Sequence, residues 1–332
     1  MRARVGQYEV GDLLGEGAFG KVYKGTHVTT GGVVAMKRLK LENDRQVESA
    51  QNELSPLLAL KDTPNKHIVK FFQAQLMHGS LWLMLEYCSV GTLNDFLLGH
   101  VQPGMSGSVK LRLMIEIADA VNFLHFNNIV HRDLKPDNIL LSGSRDNPVV
   151  KVADFGLAKV CGVGDGSLSE YYMYTQFGTP FFLAPEVFQG QEYKMYCDVF
   201  SMGVIFVAMI DMGREGNTVV AFIKDRMAGV KVPIGRALLN NPPPNLSAHL
   251  LTRQKGGPLK RLCLSMLSLN DRDRPKAADV LGSLRSVQRN KRLATAGTTV
   301  IGAGVGALIG GPIGALVGGS VGYLLNKKLL SG

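Results

Sequence analysis

The chain has 332 residues, of which 45% are hydrophobic and 19% charged, a balance that excludes wholesale disorder and leaves room for one large core or two smaller ones. Its net charge of +10 is unevenly placed, because the stretch from Arg285 onward holds six Lys or Arg and no acid. No basic stripe interleaved with stacking aromatics crosses the body, which excludes nucleic acid as a partner. The four cysteines, Cys88, Cys161, Cys197 and Cys263, form no CxxC pair, so neither a zinc site nor a disulfide framework is indicated.

Met1–Val10 contains no apolar signal core, and Arg2 stands where myristoylation needs glycine, so the body is expected in the cytosol or nucleus. From Tyr8 to about Lys40, alternating apolar residues broken by a glycine cluster and a GG pair read as three strands joined by turns. Gln46–Leu60 has helical spacing, and Ile68–Glu86 returns to strand-like runs. Leu111–Asn127 carries apolar residues at Leu113, Ile117, Ala120, Val121 and Leu124, the period of a buried amphipathic helix. The expected class is α+β, a small β-rich lobe followed by a larger helical one. Asp211–Lys260, broken by Pro233 and Pro242–Pro244, reads as mixed loop and short helix.

Leu14 is followed by Gly15-Glu16-Gly17-Ala18-Phe19-Gly20-Lys21-Val22, a GxGxFGxV run between two strand-like segments, where missing side chains let backbone N–H groups approach phosphate. Val34-Ala35-Met36-Lys37 falls where the third strand belongs, and a lysine there can neutralise phosphate charge. His131-Arg132-Asp133-Leu134-Lys135-Pro136-Asp137-Asn138 and Asp154-Phe155-Gly156 follow. Together these motifs resemble the eukaryotic protein kinase family over roughly Tyr8–Val287, a family whose phosphoryl-transfer chemistry is a standard worked case.

The resemblance implies a bilobal kinase fold at 8–287, with an N-lobe of about 8–87 and a C-lobe of about 88–287, and ATP with two magnesium ions between them. Asp133 would accept the substrate hydroxyl proton, Lys135 would offset charge on the γ-phosphate, and Asn138 and Asp154 would supply oxygen ligands to the metals. Lys37 needs a carboxylate to hold it. Glu53 is the expected partner and Glu48 the alternative, while Pro56 suggests that the helix is kinked or begins near that point. Val22, Ala35 and Leu140 match the residues that sandwich adenine; Leu85 would guard the deeper pocket, and the backbone of Glu86 and Cys88 would bind the ring edge. Leu57, Phe71, His131 and Phe155 match the family's regulatory stack.

Lys135 with Thr179 is the serine/threonine combination, so protein hydroxyls of Ser and Thr are the expected acceptors; Tyr171, Tyr172 and Tyr174 are the only hint otherwise. Phosphate on Thr175 is the expected anion for Arg132, with Lys159 completing a basic pocket. By resemblance, Asp198 braces the catalytic loop and Arg274 pairs with Glu186. Val152–Cys161 and Val232–Pro242 are similar to the PDLIM-interacting kinases. A pseudokinase scaffold and a membrane-organising protein remain rival readings.

After a basic linker at 288–296, residues 297–325 carry no charge, and Gly302, Gly306, Gly310, Gly314, Gly318 and Gly322 recur every four residues, lining one face of a helix with glycine. The short basic tail 326–332 follows. The segment is long enough for one tilted span, or, through Pro312, for a hairpin. The expectation is a cytosol-facing membrane anchor with possible self-association, a soluble cytoplasmic or nuclear protein being the alternative.

Overall fold

The computed structural model describes residues 3–17, 20–100, 105–160, 180–190, 194–224, 229–254 and 256–308. Strands β1 (Arg4–Val5), β2 (Tyr8–Gly17), β3 (Gly20–His27), β4 (Val33–Lys40), β5 (Phe71–Met77) and β6 (Ser80–Glu86) form an antiparallel sheet in the order β1-β2-β3-β4-β6-β5. Side chains alternate between the faces of a strand. In β4, Val34 and Met36 therefore join Val5, Tyr8, Trp82 and Met84 in a small outer core, while Lys37 and Leu39 are buried on the opposite face.

That second face receives α1 (Asp44–Ala59), whose first turn is capped by the Asn43 side chain accepting from the Gln46 N–H at 3.0 Å. Ala50, Glu53 and Leu57 are buried along one stripe of this helix, so packing the apolar stripe carries Glu53 into the sheet. The helix does not begin near Pro56, as the proline suggested; it starts twelve residues earlier and runs through it. Pro56 lies in the last turn, and the carbonyl left without an intrahelical donor is that of exposed Asn52, which water can reach.

Beyond β6 the chain becomes mainly helical. Strand β7 (Gly91–Thr92) leads into α2 (Leu93–Leu98), and α3 (Gly107–Phe126) is capped by Ser106. Strands β8 (Ile129–Val130), β9 (Ile139–Gly143), β10 (Pro148–Val152) and β11 (Lys159–Val160) form two small sheets, β10-β9-β7 and β11-β8. After α4 (Pro185–Phe188), α5 (Tyr196–Asp211) is apolar on all sides and buried from Cys197 to Met209, as the central helix of a lobe must be. Gly203 lets it approach the helix that ends at Met266, for a Cβ there would sit 2.9 Å from that of Met266.

Residues 211–260 differ from the expected mix of loop and short helix. They contain two hairpins, β12 (Arg214–Glu215) with β13 (Thr218–Val219) and β14 (Phe222–Lys224) with β15 (Lys231–Pro233). The Asn94 side chain on α2 accepts from the Val219 N–H at 2.9 Å and donates to the Asn217 carbonyl at 2.8 Å. A contact of this sequence separation leaves no local signature. Helices α6 (Ile234–Ala237), α7 (Leu246–His249), α8 (Pro258–Met266) and α9 (Ala277–Leu308) complete the lobe.

Helix α9 is anchored by buried Ala277, Val280, Leu281 and Leu284 and continues unbroken to Leu308. The basic linker and residues 297–308 of the expected membrane segment therefore prolong a core helix instead of starting a separate element. The remainder of that segment, with the basic tail, lies outside the described residues. No helix among the described residues is long and apolar enough to cross a membrane.

Candidate active site

Lys37 projects from the inner face of β4, and its Nζ lies 2.6 Å from Glu53 Oε1 and 2.9 Å from Asp154 Oδ1. Glu48, the alternative partner, is exposed on the opposite side of the helix from this stripe. Burial would lower the Lys37 pKa, but the charges of Asp154 and Glu53 outweigh it and hold the amine well above its ordinary range. Burial pushes the Glu53 carboxyl up to about 7 against the pull of Lys37. In Asp154 the same burial is overcome by the Lys37 charge and hydrogen bond, so its carboxyl stays below the usual carboxylate value. The site thus offers a fixed cation next to a carboxylate that remains charged.

The catalytic-loop residues lie beside that carboxylate. Ala153 N–H donates to the Asn138 carbonyl at 2.9 Å, which sets Asn138 next to the residue preceding Asp154. Asn138 Nδ2 donates to both the Asp133 carbonyl and Asp133 Oδ2 at 2.8 Å, and Lys135 Nζ donates to Asp133 Oδ2 at 2.7 Å. With its amide nitrogen so committed, Asn138 keeps Oδ1 as its remaining ligand atom.

Arg132 and Asp154 both have left-handed backbones, with φ of 69° and 62°, a strain that persists only where the surroundings impose it. At Arg132 the imposing group is Asp198, in the first turn of α5. Its Oδ1 accepts from the Arg132 N–H and its Oδ2 from the His131 N–H, both at 2.8 Å, and Oδ2 also contacts His125 Nε2 at 2.9 Å. Burial would raise the Asp198 pKa, but His125 and the His131 groups outweigh it and hold the carboxyl below its ordinary range.

The roof is the β2–β3 hairpin, where Gly17 pairs with Gly20 and Gly15 with Val22. A Cβ added to Gly15 or Gly17 would meet nothing within 4 Å, so these two glycines answer no packing demand; they leave an opening into which phosphate can come close to the backbone. Gly20 is required by the fold itself, since its φ is +133° and a Cβ would come 2.2 Å from the Arg38 carbonyl oxygen. Leu14 is exposed at the hairpin, while Val22, Ala35, Leu85, Glu86, Cys88 and Leu140 are half-buried, as the walls of a partly open slot would be. Burial, then Glu86, pushes the Cys88 thiol up to about 12, leaving it an un-ionised wall group.

Two hard-oxygen side chains, Asp154 and Asn138, fit a divalent cation whose other ligands come from phosphate and water. Among the described residues no group of three or more acidic, His or Cys side chains could hold a metal unaided. Leu57, Phe71, His131 and Phe155 are all buried, and the His131 and Phe155 rings lie 5.4 Å apart. Ala18, Phe19, Thr175, Thr179 and the three loop tyrosines lie outside the described residues. Lys159 is placed by its backbone alone, paired with Val130 in β11–β8. Sequence reasoning missed His125, which stands six residues before the motif with nothing to distinguish it from core, and Lys151, which binds the Glu86 side chain at 2.8 Å.

A lysine held by carboxylates beneath a glycine hairpin, next to an aspartate that carries its own lysine, is a cleft built for nucleotide-dependent phosphoryl transfer between a β-rich and a helical lobe. Comparison with known proteins agrees. The model of the protein kinase domain family matches residues 8–284, and the chain belongs to that family. Among curated proteins it is similar to the serine/threonine-protein kinase ATG1b of Arabidopsis thaliana, with 32% identity over 226 residues that make up 67% of this chain and 30% of that protein. The chain thus spans less than a third of the length of that relative.

Proposed function

We propose that this protein transfers the γ-phosphoryl group of ATP to serine and threonine hydroxyls of protein substrates. The observation that carries the reading is the joined cluster in which Lys37 lies between Glu53 and Asp154 while Asp133 is bound by Lys135 and Asn138. In this reading the hairpin Leu14–Gly20, with Glu16, Ala18 and Phe19, closes over the triphosphate, and adenine lies among Val22, Ala35 and Leu140, against the backbone of Glu86 and Cys88 and below Leu85. Lys37 balances phosphate charge. Asp133 takes the hydroxyl proton as the oxygen attacks the γ-phosphorus and the bond to the β-phosphate oxygen breaks, while Lys135 offsets charge on the group in transit. Asp154 and Asn138 would hold the two magnesium ions, which would supply Lewis-acid neutralisation of the phosphate charge.

Support for Ser/Thr acceptors comes from Lys135 with Thr179 and from the name of the relative. The test is phosphoamino-acid analysis of a mixed protein substrate incubated with the chain and Mg-ATP. Phosphoserine and phosphothreonine are expected, and phosphotyrosine alone would refute the specificity.

The reading includes regulation and placement. Phosphate on Thr175 is proposed to order the activation segment against Arg132 and Lys159. Thr175→Ala is then expected to hold the enzyme at the low activity of the dephosphorylated form, and a Thr175→Ala protein that keeps full activity in a dephosphorylated preparation would count against it. Residues 297–325 are proposed to contact a membrane from the cytosolic side, and their glycine spacing to support self-association. After alkaline carbonate extraction the full chain is expected in the membrane pellet and a chain ending at Arg292 in the supernatant; both in the supernatant would end the anchor.

A further inference from the structure

Glu86 is the last residue of β6, at the point where the chain crosses from one lobe to the other. Its N–H donates to the Lys70 carbonyl at 2.8 Å, and its Oε2 accepts from the Lys70 N–H at 3.1 Å, so backbone and side chain together tie it to the entry of β5. The same Oε2 lies 2.8 Å from the Nζ of Lys151, which belongs to the other lobe. Both side chains are largely shielded, at 12% exposure for Lys151 and 25% for Glu86, so the pair is not a solvated surface contact of little consequence.

Lys151 is well placed to transmit position. In the β10–β9 ladder it stands opposite Leu140, the proposed floor under adenine, and three residues later comes Asp154. Its strand is stitched to the segment before β5 by Val152 N–H on the His67 carbonyl at 2.8 Å and Val69 N–H on the Val152 carbonyl at 2.9 Å. His67 Nδ1 also lies 3.2 Å from the Val150 carbonyl. One ammonium thus links the residue whose backbone is to bind the adenine edge to the strand that pairs with the adenine floor and leads to the proposed metal-binding aspartate.

We propose that Lys151 is a positioning residue for the nucleotide, clamping the Glu86 hinge at a fixed height above Leu140 so that the adenine slot is preformed in the free enzyme. The proposal rests on the kinase reading and deepens it. A slot that must be assembled on binding costs affinity, whereas the phosphoryl-transfer groups, once the nucleotide is seated, are unaffected. Loss of the clamp therefore acts on KM for ATP and little on kcat.

The experiment is steady-state kinetics of the full chain with ATP varied, on the wild type, Lys151→Met, Lys151→Arg, Glu86→Gln and the charge-swapped double variant Glu86→Lys/Lys151→Glu. The expected result is a rise in KM for ATP of about tenfold for Lys151→Met and Glu86→Gln, with kcat within about threefold of wild type. Lys151→Arg should stay near wild type because the guanidinium still reaches the carboxylate, and the swap should recover most of the lost KM. An unchanged KM, a fall confined to kcat, or a swap no better than the single variants would overturn the clamp. Should Lys151→Met fail to fold, Glu86→Gln, Lys151→Arg and the swap decide the matter. A wild type that moves no phosphate from ATP would refute the kinase reading itself, a different outcome from an active wild type indifferent to Lys151.

Discussion

Asp133→Asn is expected to lower kcat by about 10²- to 10⁴-fold, the usual worth of a positioned general base, while KM for ATP and the melting temperature stay close to wild type. The substitution is nearly isosteric, and an amide oxygen can still accept from Lys135 Nζ and Asn138 Nδ2, which now bond Asp133 Oδ2 at 2.7 and 2.8 Å. What is lost is the ability to take a proton. Asp133 touches none of the proposed adenine-binding groups in the described hydrogen-bond network, so nucleotide binding has no reason to change. Turnover above about a tenth of wild type would remove Asp133 from the proposed role. The measurement is single-turnover transfer at saturating ATP, paired with a thermal melt to show that the variant is folded.

Arg274→Met is expected to act on stability instead. The Arg274 side chain is fully shielded, and its two terminal nitrogens bind the Glu186 carboxylate at 2.7 and 2.8 Å. Its Nε donates to the Ser268 carbonyl at 2.9 Å, Nη1 reaches the Tyr196 carbonyl at 3.1 Å, and the guanidinium stacks 4.9 Å from the Phe200 ring centre. The residue therefore pins α4, α5 and the turn before α9 to one another. Removing only the cation strands a buried carboxylate and should cost about 3–5 kcal/mol, or roughly 6–15 °C in Tm for a domain of this size. Adding Glu186→Met should restore part of that loss, because the unpaired charge then disappears. A thermal melt of the three proteins checks both expectations, and a shift below about 2 °C for the single variant would show that the pair does not hold the lobe together. Activity measured well below the transition should fall far less than in Asp133→Asn, since none of these groups touches the proposed reacting atoms.

Much of the active cleft was legible in the sequence because its parts are short and each answers a local demand. The glycine hairpin must bring backbone to phosphate, Lys37 alternates onto the inner face of β4, and the residues from His131 to Asn138 form a loop that pairs with its own neighbours over five residues. The expectation of Glu53 over Glu48 rested on the resemblance and on its place on the expected helix, sixteen residues after Lys37, and the stripe of Ala50, Glu53 and Leu57 shows why one glutamate turns inward while the other faces water. Pro56 misled because a proline penalty was weighed without knowing where the helix ends; in the last turn, beside an exposed carbonyl, the penalty is small.

Tertiary structure alone decided what depends on contacts between distant segments. The β12–β13 hairpin is held by Asn94, more than a hundred residues earlier, and His125 and Lys151 gained partners only when α3 met α5 and β10 met the hinge. The same holds for the linker before the glycine-rich tail, whose charges read as a boundary but which continues α9 because buried Val280, Leu281 and Leu284 fix the start of that helix against the core. Sequence by itself thus determined the family and the short motifs that line the cleft, which are set by backbone geometry and residue type within a few positions. Docking of the lobes determined which remote side chains hold those motifs in place, because a buried ion pair or hydrogen bond exists only once both partners have been brought together and dried.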